Sequence, residues 1–500
     1  MLEPSIFGRI NKVSVTSADL QSRSITAQPL ITTARLLITA ALLIPLSCSG
    51  DSELAEQESS DERPNLILIS LDTMRADRLS HYGLIDRKTT PVLDRLAEQS
   101  AVFSDVLATS TVTGPSHLSM FTGQYPERHG LLENGERVEP HETLASRLAQ
   151  AGWLTAGFTG GGYLRESFGL AYGFETYRAK GGPLAQFKRT FETSMPHALE
   201  WLKSRPDGPF FLFLHGYDPH CPYEATPEGL RHFNAPTAGP FDPTGMCGEE
   251  HFLPLVQADD FDEADHEYLI DLYDALVYSA DASLKPLIFF LRKSGLLDKS
   301  ILVFTSDHGE GLGEHGWIGH GRLWDEQARV PLFIRFPDGK YAGDFDQPVS
   351  LVDLLPTLLD ALGLEQSSGT QGHNLMPIIR SGSDEALKLD DRLRIVSFKK
   401  ERAVQFGNRW KLGFEDGPNG LINRQLFDLR EDPNELRNLK ENELGAALFE
   451  EELLRYKTWQ LEQSKTDARY RILVGVHELD AELSAELDAL GYGGDAGEDQ

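Results

Sequence analysis

The segment Asn65-Leu-Ile-Leu-Ile-Ser-Leu-Asp72 decides the fold, because it is an almost unbroken apolar run that ends in a carboxylate. Three further β-rich runs share this character and occur at Phe210–His215, Ile301–Ser306 and Pro331–Phe336. Strands of this kind are buried on both faces, which is typical of parallel sheets covered by helices. The chain is therefore predicted to be an α/β protein built on a mostly parallel sheet.

Helical patterns alternate with these strands, which predicts a sheet sandwiched by helices. They occur at Val92–Gln99, Glu142–Ala151, Phe187–Ser204, Glu263–Lys293 and Val352–Leu362.

After about residue 390 the pattern changes to shorter strand-like runs separated by turns. These runs are Arg394–Phe398, Ala403–Phe406, Trp410–Phe414 and Gln425–Leu429, and a helical pattern follows near Leu439–Glu462. The change predicts a smaller C-terminal antiparallel α+β subdomain.

The composition of the 500 residues is globular, with 40% hydrophobic and 25% charged residues. Lys plus Arg number 47 against 77 for Asp plus Glu, which gives a formal net charge of −30. Nucleic-acid binding rests on clustered cations, so this balance argues against a nucleic-acid partner. The length suits two or three domains.

The N-terminus is predicted to be an export signal over residues 1–47. Arg35 precedes the apolar run 36–46, which is too short to span a bilayer but suits a signal peptide. Cys48 follows, and then a polar linker over residues 48–63, as in a bacterial lipoprotein attached to a membrane through a lipid on that cysteine. A plain cleaved signal or a single membrane anchor are the alternatives. The expected location is extracytoplasmic, either periplasmic or membrane-anchored.

The chain has three cysteines, so Cys221 and Cys247 remain once Cys48 is set aside. In an oxidising compartment these two could form a disulfide, and the alternative is a pair of unrelated thiols.

Candidate metal ligands follow two of the predicted strands. Asp72 ends the first run, while Asp307 and His308 follow Ile301–Ser306. Ligands of open α/β sheets bind outside the carboxyl ends of the strands, and two carboxylates with an imidazole suit a divalent cation. Taken alone, each Asp would more often be a turn or cap residue.

A candidate anion site lies between them, in Thr113-Gly-Pro-Ser-His-Leu-Ser-Met-Phe-Thr-Gly123. Pro115 suits the first position of a helix, which would place Thr113 just before the helix N-terminus. Free N–H groups and the positive end of the helix dipole favour a bound anion there. A threonine that merely caps the helix is the alternative.

Several motifs in order resemble the sulfatase family of the alkaline-phosphatase superfamily and together cover roughly residues 63–440. They are Arg63-Pro-Asn-Leu-Ile-Leu-Ile-Ser-Leu-Asp-Thr-Met-Arg-Ala-Asp77, Thr90-Pro-Val-Leu-Asp-Arg-Leu-Ala97, Pro115-Ser-His117, Tyr125-Pro-Glu-Arg-His-Gly130, Asp218-Pro-His-Cys-Pro-Tyr223, Ser306-Asp-His-Gly-Glu310 and Leu426-Phe-Asp-Leu-Arg-Glu-Asp-Pro-Asn-Glu-Leu-Arg-Asn-Leu439. The resemblance implies an alkaline-phosphatase-like fold with a sulfatase-like catalytic domain at 64–388, a C-terminal subdomain at 389–465 and a tail at 466–500.

The resemblance also implies roles for individual residues. Asp72, Asp307 and His308 match metal ligands, and Thr73 stands where many sulfatases have a further ligand Asp. His220 matches a histidine that contacts the substrate anion or its leaving group, and His320 falls near a basic residue that assists the leaving group. His129 matches a motif position near the family's active site, with a supporting role. A hydrogen-bonded structural role is the alternative for each of these histidines.

Thr113 and His117 depart from the family pattern. Sulfatases carry Cys or Ser at the position of Thr113, which is converted to formylglycine, and an Arg at the position of His117. Threonine cannot become that aldehyde, so no formylglycine is expected. Other superfamily members resembling this chain, the lipoteichoic acid synthases and phosphoethanolamine transferases, use an unmodified Thr beside one divalent metal.

Two function classes follow. The first is an exported metal-dependent hydrolase, or a transferase, acting on a small-molecule or glycan sulfate, phosphate or phosphonate ester. Thr113 would be its nucleophile and His117 would help to stabilise charge. Ca²⁺ is the usual sulfatase ion, whereas Zn²⁺ or Mn²⁺ suits a set of Thr, Asp, Asp and His better. The second class is a catalytically idle relative that binds glycans or anionic polymers at the cell surface.

Overall fold

A computed structural model describes residues 62–84, 86–179, 190–235, 239, 256, 261–382, 389–465 and 471–476. These residues belong to one compact unit, Ser60–Gln500. The predicted signal, Cys48 and nearly all of the linker after it lie outside the described residues, as does Cys247. Cys221 is disulfide-bonded. Among the described residues, no helix combines the length and apolar character that crossing a lipid bilayer requires.

An eight-stranded sheet forms the centre of the catalytic region. Its strands are β1 (Asn65–Leu71), β2 (Ala101–Phe103), β3 (Leu154–Thr159), β4 (Thr176–Ala179), β5 (Phe210–Gly216), β6 (Ser300–Thr305), β7 (Leu332–Arg335) and β8 (Gly343–Phe345). Their order across the sheet is β8-β2-β7-β6-β1-β5-β3-β4. Only β7 runs antiparallel to its neighbours, so the predicted mostly parallel sheet is confirmed.

The register of the central strands places the candidate metal ligands side by side. In the parallel pair β1–β6, Ser70 lies opposite Thr305, so Asp72 and Asp307 both lie two residues beyond that pair. On the other side of β1, the same Ser70 lies opposite His215 of β5. Residues from three adjacent strands therefore meet at one edge of the sheet.

Helices cover both faces of the sheet. They are α1 (Pro91–Ala97), α2 (Thr113–Thr122), α3 (Pro126–His129), α4 (Leu144–Gln150), α5 (Thr190–Ser204), α6 (Pro227–Phe233), α7 (Glu263–Ser283), α8 (Lys285–Lys293), α9 (Asp325–Ala328), α10 (Leu354–Ala361) and α11 (Met376–Ser381). One core packs the β1 side chains Ile67 and Ile69 against α1, α5, α7 and α8, and the other packs Leu66 and Leu68 against α2, α4 and α10.

The helix predicted over Glu263–Lys293 is two helices. The helix is interrupted at Leu284, and Pro286 lies in the first turn of α8. Proline has no N–H to donate and clashes with the preceding turn, so it ends one helix and is accommodated at the start of the next.

A four-stranded antiparallel sheet follows, as predicted. It consists of β9 (Leu393–Phe398), β10 (Glu401–Phe406), β11 (Trp410–Gly417) and β12 (Gly420–Asp428), and α12 (Glu443–Ser464) packs on it through Phe449, Leu453 and Tyr456. Further along the chain, Val474–Val476 pairs with Glu136–Val138 of the catalytic region.

Buried ion pairs join this second sheet to the catalytic region. Arg394 of β9 is fully buried and donates to both carboxylate oxygens of Asp105, at 2.8 and 3.0 Å. Lys411 of β11 lies 2.8 Å from Asp325 of α9 and 2.6 Å from Glu435. Because these charges are removed from water, they depend on one another, and Arg329 of the catalytic region also pairs with Asp105 and Asp325 at 2.6 and 2.7 Å.

Candidate active site

Asp72, Asp307 and His308 form a buried group whose ligand atoms face one another. The Nε2 atom of His308 lies 3.6 Å from Asp72 Oδ1 and 3.6 Å from Asp307 Oδ2. All three atoms are buried and have no hydrogen-bond partner among the described residues. The other ring nitrogen of His308 donates to the carbonyl of Gly309 at 3.0 Å, which leaves the Nε2 lone pair directed at the carboxylates. These residues therefore fit a bound metal ion.

The electrostatics of this group also favour a cation. Burial, followed by the neighbouring charges of Asp307 and Glu310, raises the pKa of Asp72 well above its ordinary value. Burial likewise raises the pKa of Asp307, and it lowers the pKa of His308 to about 4. Carboxylates this close destabilise each other when both are ionised, and a positive ion between them removes that penalty.

Thr73 is held in a strained backbone conformation beside the ligands. Its φ angle is 54°, in the left-handed region that a β-branched residue rarely adopts. Its carbonyl accepts a hydrogen bond from the Tyr273 hydroxyl at 2.6 Å. Such strain costs about 1–3 kcal/mol and tends to occur at functional sites.

The predicted nucleophile, Thr113, lies against the metal ligands. It is fully buried, and its hydroxyl donates to Asp72 Oδ2 at 3.4 Å. Ser116 of the same helix fixes this position, because its hydroxyl donates to the carbonyl of Asp307 at 2.6 Å. Helix α2 and the β6 strand end are thereby connected directly.

Two details of the sequence prediction for this helix are wrong. Helix α2 begins at Thr113 itself, with Val112 as its N-cap, so Pro115 lies at the third helical position rather than the first. Proline is accommodated there because none of the first four N–H groups of a helix has an intrahelical partner. The first turn also offers fewer free N–H groups than expected, since Gly114 N donates to Asn134 Oδ1 and Pro115 has no N–H.

His117 lies one turn after Thr113 and faces the carboxylate of Asp307. Its Nδ1 atom lies 2.8 Å from the carbonyl of Thr113 and 3.6 Å from Asp307 Oδ2, and its Nε2 atom lies 3.1 Å from Ser70 Oγ. Burial lowers the pKa of His117, which favours the neutral ring.

His220 and His320 form a pair across the site. Their Nε2 atoms are 3.1 Å apart. The Nδ1 atom of His220 faces the carbonyl of Cys221 at 2.7 Å, and that of His320 faces the carbonyl of Thr111 at 3.0 Å. The ring of His320 also packs on that of His308, with centroids 4.5 Å apart, so the pair adjoins the metal-ligand group.

His129 makes its hydrogen bonds within the junction of α2 and α3. Its Nε2 atom lies 3.0 Å from Ser119 Oγ, and its Nδ1 atom accepts the N–H of Leu131 at 3.1 Å. Because Nδ1 accepts, the ring is neutral with its proton on Nε2, where it is donated to Ser119. These contacts give His129 a role in holding the helix that carries Thr113.

The fully buried His129 is expected to make the protein less stable in acid. Burial lowers its pKa from the ordinary 6.5 to about 3. In the unfolded chain His129 therefore takes up a proton as the pH falls below about 6.5, whereas in the folded chain it stays neutral down to about pH 3. The free energy of unfolding consequently decreases by about 1.4 kcal/mol for each pH unit between these values. The acid slope of the unfolding free energy, measured in urea, should be shallower by about one proton in His129→Gln. An unchanged slope would contradict this assignment.

Sequence reasoning missed several residues of the site. His215 lies inside the apolar strand β5, where it would ordinarily be a core histidine, yet its Nε2 atom is 3.7 Å from Asp72 Oδ2. Glu310 is buried, accepts from the Tyr223 hydroxyl at 2.7 Å and has its pKa raised to about 8 by burial. Arg75 donates to the carbonyl of Glu310 at 3.0 Å. Arg75 and Glu310 each follow a ligand aspartate by three residues, in Asp72-Thr-Met-Arg75 and Asp307-His-Gly-Glu310. This shared spacing is the sequence signal that could have indicated both residues.

Solved structures define the class of the fold. The phosphonate monoester hydrolase of Agrobacterium radiobacter superposes with a TM-score of 0.66 at 22% identity, covering 84% of this chain and 99% of that chain. Together with the four-stranded second sheet, this shows an alkaline-phosphatase-like α/β fold.

The sequence comparisons identify the family. A family model described as Sulfatase matches residues 64–364, and one described as N-sulphoglucosamine sulphohydrolase, C-terminal, matches residues 313–463. The chain belongs to the sulfatase family and is a hydrolase of that family. An N-acetylglucosamine-6-O-sulfatase of Bacteroides thetaiotaomicron is 25% identical over 85% of this chain and 93% of that protein. A multifunctional alkaline phosphatase superfamily protein of Trinickia caryophylli is 24% identical over 82% of this chain and 98% of its own length.

Proposed function

We propose that this chain is an exported, metal-dependent hydrolase of phosphate or phosphonate esters that uses unmodified Thr113 as its nucleophile. The observation that carries the proposal is a threonine, which cannot become formylglycine, with its hydroxyl 3.4 Å from Asp72 in the metal-ligand group. Export, attachment through Cys48 and an extracytoplasmic location remain part of the proposal. Labelling of the chain by a radioactive fatty acid, lost in Cys48→Ala, would test the attachment.

Thr113 is placed to attack a phosphorus centre. A divalent ion held by Asp72, Asp307 and His308, with Thr73 and Thr113 alongside, would supply Lewis-acid activation of the hydroxyl. Asp72 Oδ2 accepts the hydroxyl hydrogen in the resting site. The helix contributes the positive end of the α2 dipole to the substrate anion. His117 lies beside both Thr113 and Asp307 and fixes their relative position.

The His220–His320 pair is placed to give a proton to the leaving group. When both Nδ1 hydrogens are donated to carbonyls, a proton held between the two Nε2 atoms at 3.1 Å makes the pair a cation. Burial opposes this charge, since it lowers the pKa of His220 to about 4 and that of His320 well below its ordinary value, so the proton enters together with the substrate anion.

Attack by Thr113 Oγ1 forms an O–P bond and breaks the ester P–O bond, while the hydroxyl proton passes to Asp72 Oδ2 and the pair protonates the departing oxygen. Water then attacks the phosphothreonine, its hydroxide joins the phosphorus and its proton returns to the histidines. The released Thr113 oxygen takes back the proton held by Asp72, which restores the hydroxyl and frees phosphate or phosphonate.

Sulfate esters are the second candidate, because the family models and the relatives above favour them. With threonine, attack at sulfur gives a threonine sulfate. This adduct lacks the second hydroxyl by which formylglycine hydrate expels sulfate, so turnover should stall. The chemistry of the nucleophile therefore favours phosphorus.

The ligand set favours Zn²⁺ or Mn²⁺ over Ca²⁺. Calcium takes six to eight oxygen ligands, whereas imidazole nitrogen is a good ligand for zinc and other transition ions. Buried carboxylate and imidazole atoms without hydrogen-bond partners also argue against the catalytically idle alternative, because a pure binding protein gains nothing from them.

A hydrolysis panel tests the ester. We expect steady-state turnover of phosphate diester, phosphate monoester or phosphonate monoester in the presence of Zn²⁺ or Mn²⁺, and at most one turnover of aryl sulfate. Thr113→Ala, purified in parallel, serves as the blank for contaminating hydrolases. Sustained turnover of aryl sulfate with no activity on phosphorus esters would reject the proposal in favour of a sulfatase.

A further inference from the structure

His215 is a buried histidine whose imidazole nitrogens have no hydrogen bond. Its side chain is fully buried, and neither Nδ1 nor Nε2 has a hydrogen-bond partner among the described residues. Its neighbours include the edges of the His117 and Tyr217 rings, with centroids 4.9 and 5.0 Å away. Burying a polar group without a partner costs a few kcal/mol, so this ring needs a partner that protein groups do not supply.

The atoms nearest to this ring are metal ligands. The ligand atoms of His117, His215 and Asp307 all lie within 4.8 Å of one another, which makes a second group able to hold an ion. Asp72 lies between the two groups, with Oδ1 at 3.6 Å from His308 and Oδ2 at 3.7 Å from His215. Asp307 also lies between the two groups, because its Oδ2 atom is 3.6 Å from His308 Nε2 and 3.6 Å from His117 Nδ1.

We propose that the site holds a second divalent cation, bound by His215, His117 and Asp307 and sharing its carboxylates with the first ion. In two-metal sites of hydrolases the ions lie about 3.5–4 Å apart and share a bridging ligand, which matches carboxylates that face ligands on both sides. The inference rests on the metal site of the proposed function, but not on the identity of the nucleophile or of the ester.

His117 can serve this ion through Nε2. Its Nδ1 hydrogen is donated to the carbonyl of Thr113 at 2.8 Å, which leaves the lone pair on Nε2, 3.1 Å from Ser70 Oγ, for a metal ion. Two imidazoles with shared carboxylates select Zn²⁺ or Mn²⁺ rather than Ca²⁺. A single-ion site explains His117, whose nitrogens have protein partners, but it leaves both nitrogens of His215 unexplained.

Metal counting tests the proposal. The full chain is stripped with chelator, reloaded with excess Zn²⁺, desalted and analysed by elemental mass spectrometry. We expect two equivalents in the wild type and one in His215→Ala. The matched control is His220→Asn, which changes a histidine of the same segment outside the proposed ligands and should keep two equivalents. Circular dichroism of each variant verifies the fold.

A spectroscopic measurement on the unaltered chain makes the test independent of any variant. With Mn²⁺ at saturation, two ions at this separation should give the exchange-coupled electron paramagnetic resonance signal rather than that of isolated ions. One equivalent in the wild type, isolated-ion spectra at saturation, or two equivalents in His215→Ala would each overturn the second cation. Loss of all metal in folded His215→Ala would also overturn it, by making His215 a ligand of a single ion. No metal in the wild type would instead refute the metal site of the proposed function.

Discussion

Thr113→Ala is expected to lose hydrolytic activity by about 10⁴-fold or more in kcat, while keeping its metal content. Deleting a nucleophile removes the covalent route altogether, and comparable deletions cost several orders of magnitude. Thr113→Ser should keep a good part of the activity, because it retains the hydroxyl at the start of α2. Initial rates on the best ester of the panel, with metal content measured on the same preparations, provide the comparison.

Thr122 offers a matched control for this substitution. It lies at the other end of α2, is buried, and donates its hydroxyl to the carbonyl of Leu118 at 2.6 Å. Thr122→Ala therefore removes the same atoms from the same helix, away from the metal ligands, and we expect its activity to stay near that of the wild type. If Thr113→Ala turned over at a near-normal rate, water would be the attacking group, and Thr113 would have only a structural role at the helix N-terminus.

Asp307→Ala is expected to abolish both metal binding and activity without unfolding the chain. Asp307 is fully buried at the end of β6, where its side chain faces other ligands rather than apolar core residues. In the metal-free state the substitution also removes repulsion with Asp72, which partly offsets the lost contacts. The wild type should gain about 4 kcal/mol of stability at a metal concentration about 1,000 times its Kd, and the variant should gain none.

Thermal unfolding with and without metal measures this difference. The upward shift of Tm on adding Zn²⁺ should be present in the wild type and absent in Asp307→Ala. Asp207→Ala, at an exposed position before β5, controls for loss of a carboxylate and should keep the shift. A full shift in Asp307→Ala would show that the metal binds elsewhere.

The central strands could be predicted from the sequence because a strand that is buried on both faces consists almost entirely of apolar residues. Strand β1 ends directly before Asp72, as the apolar run indicated, and β5 is one residue longer than expected at one end. Strands β6 and β7 differ from expectation by one residue at each end. The other strands were missed for physical reasons. Strand β2 has only three residues, and β3, Leu154-Thr-Ala-Gly-Phe-Thr159, contains small residues whose packing depends on neighbours that a sequence does not display.

The candidate site divides in a similar way. Asp72, Asp307 and His308 could be predicted because parallel strands deliver their end residues to one edge. His215 could not, since a histidine within an apolar strand looks like any core residue until the β1–β5 register places it opposite Ser70. The order of the histidines along the chain also gave no hint that His129 is held by Ser119 and Leu131.

The buried ion pairs between the two sheets limit how this family member can be altered by recombination. Arg394–Asp105 and Lys411–Asp325 each have one partner on either side of residue 389. A chimera that exchanged only the C-terminal part would leave Asp105 and Asp325 with Arg329 as their shared cation, at 2.6 and 2.7 Å, so the two buried acids would carry one negative charge in excess. Breaking a buried ion pair in this way typically costs about 3–5 kcal/mol. The C-terminal sheet is therefore best exchanged together with Asp105 and Asp325, the acids that face it. Changes within that sheet are better made as single substitutions that keep Arg394 and Lys411.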